Sequence, residues 1–268
     1  ERKSNSPKKD AIETAIQVAK NDWIITTDAD CLVQKNWLTT FNQYIQENEV
    51  EMVASGVCYV PKSGFLSAFQ NLDFLSLQGA TIGSFGINQP FMCNGANFAY
   101  SKHFFRELKG FQGNETIASG DDVFLLQKAV SHFPEKVQYL KSHNTIVVTK
   151  PLNNWRSLFH QRVRWASKTG SYQSTFGKGL SVLVFMANLA LVLAFGFLFL
   201  GVITFQNIIL LFVLKFSIDS FLIYKTNRFL TQNKMRYLIL SCVFYPFFST
   251  SVALYSLFGK YKWKGRKF

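Results

Sequence analysis

Two aspartates, Asp28 and Asp30, stand two residues apart directly after a short run of apolar and β-branched residues. That run, residues 23–27, predicts a buried strand. Open α/β sheets bind their ligands at the carboxyl ends of their strands, and paired carboxylates there suit a hard divalent cation shared with a substrate phosphate. Taken alone, such a pair is more often a solvated turn, so its meaning depends on the rest of the chain.

A second acidic pair, Asp121 and Asp122, follows Gly120 and precedes residues 123–130, an apolar run that predicts a helix. Adjacent carboxylates oppose each other's ionisation, so we expect the pKa of at least one to be raised, which helps a general base work near neutral pH. Capping of the helix by Asp121 is the alternative interpretation, and it is compatible with catalysis by Asp122.

A third group, Gln161, Arg164 and Trp165, has the spacing of one helical face. Indole offers a flat apolar surface to a sugar ring, guanidinium offers forked donors to phosphate oxygens, and the Gln amide can bind hydroxyl groups. The alternative is an interfacial helix anchored by Trp165, with Arg164 extending toward the polar side.

These residues need a scaffold of alternating helices and strands. The patterns predict helices at residues 8–20, 36–45, 65–81 and 153–168, and strands at residues 23–27, 52–60 and 145–149. Such alternation favours a largely parallel sheet, and we assign residues 1–175 to this α/β domain.

Residues 176–268 form the second predicted domain, an α-helical membrane module. Its candidate spans are residues 180–205, 208–224 and 237–258, each near the length that a bilayer core requires. In the second, Lys215 and Asp219 lie four apart and are expected to pair. The loop at 225–236 and the tail at 260–267 are both basic and should share the cytoplasmic side. Either the third segment, with Pro246 near its middle, is a re-entrant or broken hairpin, which we favour, or one of the three segments is an interfacial helix.

The formal net charge of +13 is concentrated in the apolar part of the chain. Residues 180–268 hold ten Lys and Arg against one acid, Asp219. Basic residues between and after apolar segments flank membranes, whereas a nucleic-acid footprint would cluster on the soluble part. We therefore expect a lipid bilayer as a partner and no nucleic acid. The four cysteines and four histidines show no ligand spacing, which argues against a zinc site.

The order of these motifs, D-x-D, then Gly-Asp-Asp, then Q-x-x-R-W, then apolar spans, resembles the membrane-embedded glycosyltransferases of family 2. This group includes the cellulose, chitin, hyaluronan and poly-N-acetylglucosamine synthases. The resemblance implies a GT-A-like α/β domain, here without its first strand, followed by helices in the inner or plasma membrane. It also implies inverting transfer from a nucleotide-sugar, a UDP-sugar, to a saccharide acceptor by a cytoplasmic catalytic domain.

On the donor side, the resemblance assigns Mg²⁺ or Mn²⁺ to Asp30 and Asp28, and the diphosphate to Arg164. Lys8 is expected near the nucleotide, because residues 7–12 are similar to the family's G-K-x-x-A-L, with Pro7 in place of the usual Gly.

On the acceptor side, the resemblance makes Asp122 the catalytic base, with Asp121, Gln161 and Trp165 binding the acceptor. The turn at residues 94–97 borders it by the same analogy. Gly-Asp-Asp stands where the polymer synthases prefer Thr-Glu-Asp, so a lipid acceptor, as in the ceramide glucosyltransferases, is an open alternative. A non-catalytic membrane scaffold with a degenerate domain is another.

Overall fold

The computed structural model describes residues 6–114 and 120–259, together with the backbone of residues 262–263 and 266–267. The side chains of the basic tail at 260–267 lie outside this description. The chain divides into two compact units, one of Glu1–Val60 and Ala80–Lys150, the other of Pro61–Gly79 and Pro151–Phe268. This division by compactness does not follow the predicted domain boundary near residue 175.

The first unit is built on a four-stranded sheet in the order β1-β4-β2-β5. Its strands are β1 (Trp23–Thr26), β2 (Met52–Ser55), β4 (Phe98–Ser101) and β5 (Val137–Leu140). β4 runs antiparallel to both β1 and β2, and β2 runs parallel to β5. The sheet is therefore mixed, and the prediction of a largely parallel sheet is wrong. The alternation pattern did not reveal β4, because this four-residue strand leads directly into a helix.

The predicted strand at residues 52–60 is two strands, β2 and β3 (Val57–Tyr59), separated at Gly56. β3 pairs in parallel with β6 (Val147–Thr149) in a second, two-stranded sheet. The carbonyl of Gly56 accepts from the side-chain amide of Asn97 (2.7 Å) and from the backbone N–H of Val147 (3.0 Å). This shared carbonyl lies where the chain passes from one sheet to the other.

Four α-helices lie wholly within the described residues of the first unit: α1 (Pro7–Val18), α2 (Trp37–Glu47), α4 (Lys102–Glu107) and α5 (Asp121–His132). Its largest fully buried side chains are those of Lys9, Phe41, Met52, Phe98, Tyr100, Phe104, Leu125 and Leu126. Lys9 satisfies its buried ammonium group by donating to the carbonyl of Asn114 (2.5 Å). That bond ties α1, at the residue after Lys8, to the loop at Asn114.

The second unit contains the first part of α3 (Phe65–Gly86), α6 (Trp155–Ala166) and three longer helices. The backbone N–H and carbonyl of Leu152, just before α6, bond the side-chain amide of Gln70 on α3 at 3.0 and 2.9 Å. The rings of Phe69 and Trp155 lie 5.1 Å apart between centroids. α3 and α6 are thus joined by polar and aromatic contacts.

Within the described residues, three helices are long and apolar enough to cross a membrane: α7 (Thr175–Phe199), α8 (Phe205–Leu230) and α9 (Leu238–Phe258). α7 begins five residues before the predicted span because Ser174 caps it, accepting from the N–H of Gly177 (3.0 Å). Within α8, Lys215 and Asp219 form the expected ion pair.

α9 is one helix that continues through Pro246. The predicted broken hairpin is therefore wrong. A proline inside a helix removes one backbone donor and bends the axis, but the rest of the bonding can continue on either side. The 21 residues of α9 correspond to about 31 Å of helix, enough for one crossing of a bilayer core.

Candidate functional site

Asp28 and Asp30 follow the last residue of β1 and are exposed. A carboxylate oxygen of each lies within 4.8 Å of the other and of the Cys31 sulfur. Burial raises the pKa of the Cys31 thiol, with the nearby charges of Asp28 and Asp30 acting in the same direction. Sulfur is also a soft ligand, whereas Mg²⁺ and Mn²⁺ prefer carboxylate oxygens. The donor set therefore fits a hard cation held by the two carboxylates, as Mg²⁺ or Mn²⁺ requires.

Lys8 on α1 connects this pair with the second acidic pair. Its ammonium nitrogen lies 3.1 Å from a carboxylate oxygen of Asp121 and 3.6 Å from one of Asp28. Burial alone would lower the pKa of Lys8, but the negative charges of Asp121, Asp122 and Asp28 outweigh it and raise the pKa above its ordinary value. Lys8 therefore stays positively charged at every physiological pH.

Asp121 is the first residue of α5 and is buried. Burial raises its pKa, the charge of Asp122 raises it further, and Lys8 opposes both. The expectation that one member of the pair has a raised pKa is met at Asp121. Gly120, with φ of 90°, occupies the N-cap position in place of Asp121.

Asp122 is held through both carboxylate oxygens by backbone donors. One accepts from the N–H of Gly95 (2.7 Å), the other from the N–H of Val123 (2.8 Å). The carbonyl of Gly95 in turn accepts from the hydroxyl of Thr26 (2.7 Å), the last residue of β1. Thr26 and Gly95 thus connect the end of β1 to Asp122.

Gly95 is also sterically matched to Asp122. A Cβ added at Gly95 would lie 3.1 to 3.4 Å from side-chain atoms of Asp122. The sequence analysis placed the turn at residues 94–97 beside the acceptor, but it assigned no role to Thr26 and no contact between Gly95 and Asp122. The Asn-Gly dipeptide at 94–95 indicates a turn, but not which side chain that turn contacts.

A small pocket opens beside the second acidic pair. Its walls are mostly apolar, and its two carboxyl groups come from the start of α5. It is lined by Ile12, Thr26, Gly95, Phe98, Tyr100, Phe111, Asp121, Asp122 and Leu125.

The third predicted group lies on α6 in the second unit. Gln161, Arg164 and Trp165 are each half-buried. Gln161 and Trp165 both contact Arg162, a residue that the sequence analysis did not single out. The Arg162 guanidinium carbon lies 4.3 Å from the centroid of the Trp165 ring, and its NH1 donates to the side-chain oxygen of Gln161.

Arg162 is itself buried and ion-paired. Its Nε lies 2.6 Å from a carboxylate oxygen of Asp73 on α3, and the ring of Phe74 lies 6.3 Å from that of Trp165. The structure thus gathers Lys8, Asp28, Asp30, Asp121 and Asp122 in the first unit. In the second unit, Asp73, Gln161 and Trp165 each contact Arg162.

Comparison with known proteins identifies one family. The sequence model described as glycosyltransferase like family 2 matches residues 2–168. No curated protein matches the chain. Among solved structures, one described as "Crystal Structure of a Mycobacterial Protein" matches with 13% identity and a TM-score of 0.34, over 60% of this chain and 51% of that one. The chain thus spans about half the length of that protein.

Proposed function

The chain belongs to glycosyltransferase like family 2, and from this premise we propose that it is an inverting glycosyltransferase that moves a sugar from a UDP-sugar to a saccharide acceptor. The family supports glycosyl transfer as the reaction class. The observation that carries the proposal is the ion cluster of the first unit, in which Lys8 contacts both the strand-end pair and the helix-start pair of acids.

On the donor side, Asp28 and Asp30 would hold Mg²⁺ or Mn²⁺. When bound, the cation supplies positive charge against the departing diphosphate. Lys8 adds a permanent positive charge 3.6 Å from Asp28, and Arg164 provides a second cationic group for the diphosphate.

On the acceptor side, Asp122 is the general base. The acceptor hydroxyl oxygen forms a bond to the anomeric carbon as the bond from that carbon to the diphosphate breaks, and the hydroxyl proton passes to Asp122. A single displacement of this kind inverts the anomeric centre. The two backbone donors on the Asp122 carboxylate fix its orientation without occupying every lone pair. Trp165 would stack against the acceptor sugar, with Gln161 and Asp121 binding its hydroxyl groups.

The membrane part of the proposal rests on α7, α8 and α9. Their exposed apolar surface suits lipid, and we propose that the chain is an integral protein of the inner or plasma membrane, with its catalytic domain in the cytoplasm, where nucleotide-sugars are found. The predicted domains, residues 1–175 for catalysis and 176–268 for the membrane, follow the same reasoning.

The direct test is a membrane preparation containing the full-length protein, supplied with a panel of UDP- and GDP-sugars and Mg²⁺ or Mn²⁺. We expect release of nucleoside diphosphate from one UDP-sugar, with labelled sugar in saccharide product. If the labelled sugar is instead recovered in a lipid extract, the acceptor is a lipid and not a saccharide. No nucleotide-sugar binding to the full-length protein would overturn the enzyme assignment in favour of a scaffold.

A further inference from the structure

A buried ion pair joins α3 to α6 in the second unit. Asp73 and Arg162 are each only 6% exposed, and the Nε of Arg162 lies 2.6 Å from a carboxylate oxygen of Asp73. Burying two charges carries a desolvation cost of several kcal/mol per ion, which the attraction between them offsets only with good geometry. A buried pair is therefore weak evidence for added stability, and we look for another role for it.

The position of the guanidinium group suggests that role. The guanidinium carbon lies over the indole of Trp165 at 4.3 Å from the ring centroid, and NH1 donates to the side-chain oxygen of Gln161. A planar group with forked donors can stack, pair and donate at the same time, which an ammonium group cannot do. One side chain therefore contacts both Gln161 and Trp165, the first and last residues of the motif.

Asp73 is well suited to anchor this arrangement, because its own helix is fixed to the segment before α6. Gln70, one turn earlier on α3, makes two hydrogen bonds to the backbone of Leu152. Phe74, the next residue along, lies beside the ring of Trp165. The carboxylate of Asp73 therefore has little freedom to follow Arg162 if that side chain moves.

We propose that Asp73 is a positioning residue that acts through Arg162 to fix the indole of Trp165 and the amide of Gln161 for acceptor binding. This inference rests on the proposed function, in which those two groups bind the acceptor. Neither Asp73 nor Arg162 takes part in the chemistry, so the pair sets the affinity for the acceptor and leaves donor binding unchanged.

The test measures three quantities in the full-length protein: the KM for acceptor, the KM for donor, and the slow release of nucleoside diphosphate without acceptor. Asp73→Asn and Arg162→Lys should each raise the acceptor KM about tenfold or more, since small misplacements of binding groups have effects of this size. Donor KM and acceptor-independent release should stay within about twofold of wild type. In a Trp165→Ala, Gln161→Ala background, adding Asp73→Asn should have no further effect on acceptor KM.

A double variant separates positioning from folding. Asp73→Leu with Arg162→Met removes both charges together and leaves no unpaired ion, a change that buried pairs often tolerate. We expect this protein to accumulate and bind donor normally, with the same raised acceptor KM. Asp219→Asn, which breaks the ion pair within α8, is the matched control and should leave acceptor KM unchanged.

The outcomes distinguish this inference from the proposed function. A wild-type acceptor KM in the folded double variant overturns the positioning role. A parallel rise in donor KM for Asp73→Asn and Arg162→Lys, with loss of folded protein, would overturn it in favour of a purely structural pair. If Trp165→Ala itself leaves acceptor binding unchanged, the acceptor role of the motif fails, and the proposed function must be revised first.

Discussion

The carboxylate of Asp122 differs from those of Asp28 and Asp30 in how it is held. Both of its oxygens accept backbone N–H groups, whereas Asp28 and Asp30 are exposed at the end of β1. A fixed carboxylate suits a base that must meet one hydroxyl, and an accessible pair suits a cation that enters with its substrate. The local environments of Asp122 and of the Asp28–Asp30 pair therefore match their proposed roles as base and as metal ligands.

Asp122→Asn tests the base directly. An amide keeps the size of the side chain and one acceptor oxygen but cannot take a proton, so we expect turnover to fall by about 10²–10⁴-fold. Metal-dependent UDP binding should be retained, as measured by calorimetry. Asp22→Asn, the same change at an exposed acid before β1, is the control and should leave turnover intact. Full activity in Asp122→Asn would show that the base is another residue.

Metal binding should depend on the carboxylates and not on the neighbouring thiol. Asp30→Asn should weaken Mn²⁺ binding about tenfold or more, because it removes a charged oxygen ligand. Cys31→Ser should leave Mn²⁺ affinity unchanged, because a hard cation prefers the two carboxylates to a sulfur ligand. Electron paramagnetic resonance of free Mn²⁺ measures both. Weakened binding in Cys31→Ser would mean that the sulfur is a ligand.

At the scale of elements, the hydrophobic patterns predicted the longer helices, because their apolar residues recur at helical spacing or form long runs. They did not reveal the six-residue helix α4. They failed where the outcome depended on distant segments. β4 inserts between β1 and β2, and no local pattern shows which strand lies between two others. Likewise, nothing in the spacing of the α6 motif shows that Arg162 would find Asp73, 89 residues earlier. The types of the site residues were readable from sequence, but their partners were not.

The turn at residues 94–97 should be intolerant of a side chain at its second position. Gly95→Ala places a Cβ 3.1 Å from a carboxylate oxygen of Asp122, so that carboxylate must shift. We expect kcat to fall about tenfold to hundredfold with little change in donor KM. Gly83→Ala on α3, where an added Cβ meets no atom within 4 Å, should have no such effect. A normal kcat in Gly95→Ala would show that the orientation of Asp122 is unimportant.

At the scale of the whole molecule, the acidic cluster has a cost for folding that Lys8 partly offsets. Burial raises the pKa of Asp121, so its ionisation destabilises the folded state as pH rises from the unfolded-state pKa through the raised folded-state value. Below that range the carboxyl is protonated in both states and the effect disappears. The positive charge of Lys8 reduces the penalty wherever Asp121 is ionised.

Lys8→Gln should therefore lower Tm more at neutral pH than near pH 4. Because the Lys8 side chain is 38% exposed, solvent weakens its ion pair with Asp121. We therefore expect the Tm of Lys8→Gln to lie about 2 °C below that of wild type at pH 7. Lys8→Arg, which keeps the charge, should melt like wild type at both pH values. Thermal unfolding in detergent measures the comparison, and an equal Tm loss at both pH values would exclude an electrostatic origin.

The uninterrupted course of α9 has a consequence for how the protein can be labelled. If α7, α8 and α9 each cross the bilayer once, an odd number of crossings separates the residues before Thr175 from those after Phe258. Reporter proteins inserted at these two places would then report from opposite compartments. A phosphatase that is active only outside the cytoplasm and a fluorescent protein that matures only inside it should give complementary signals at the two junctions.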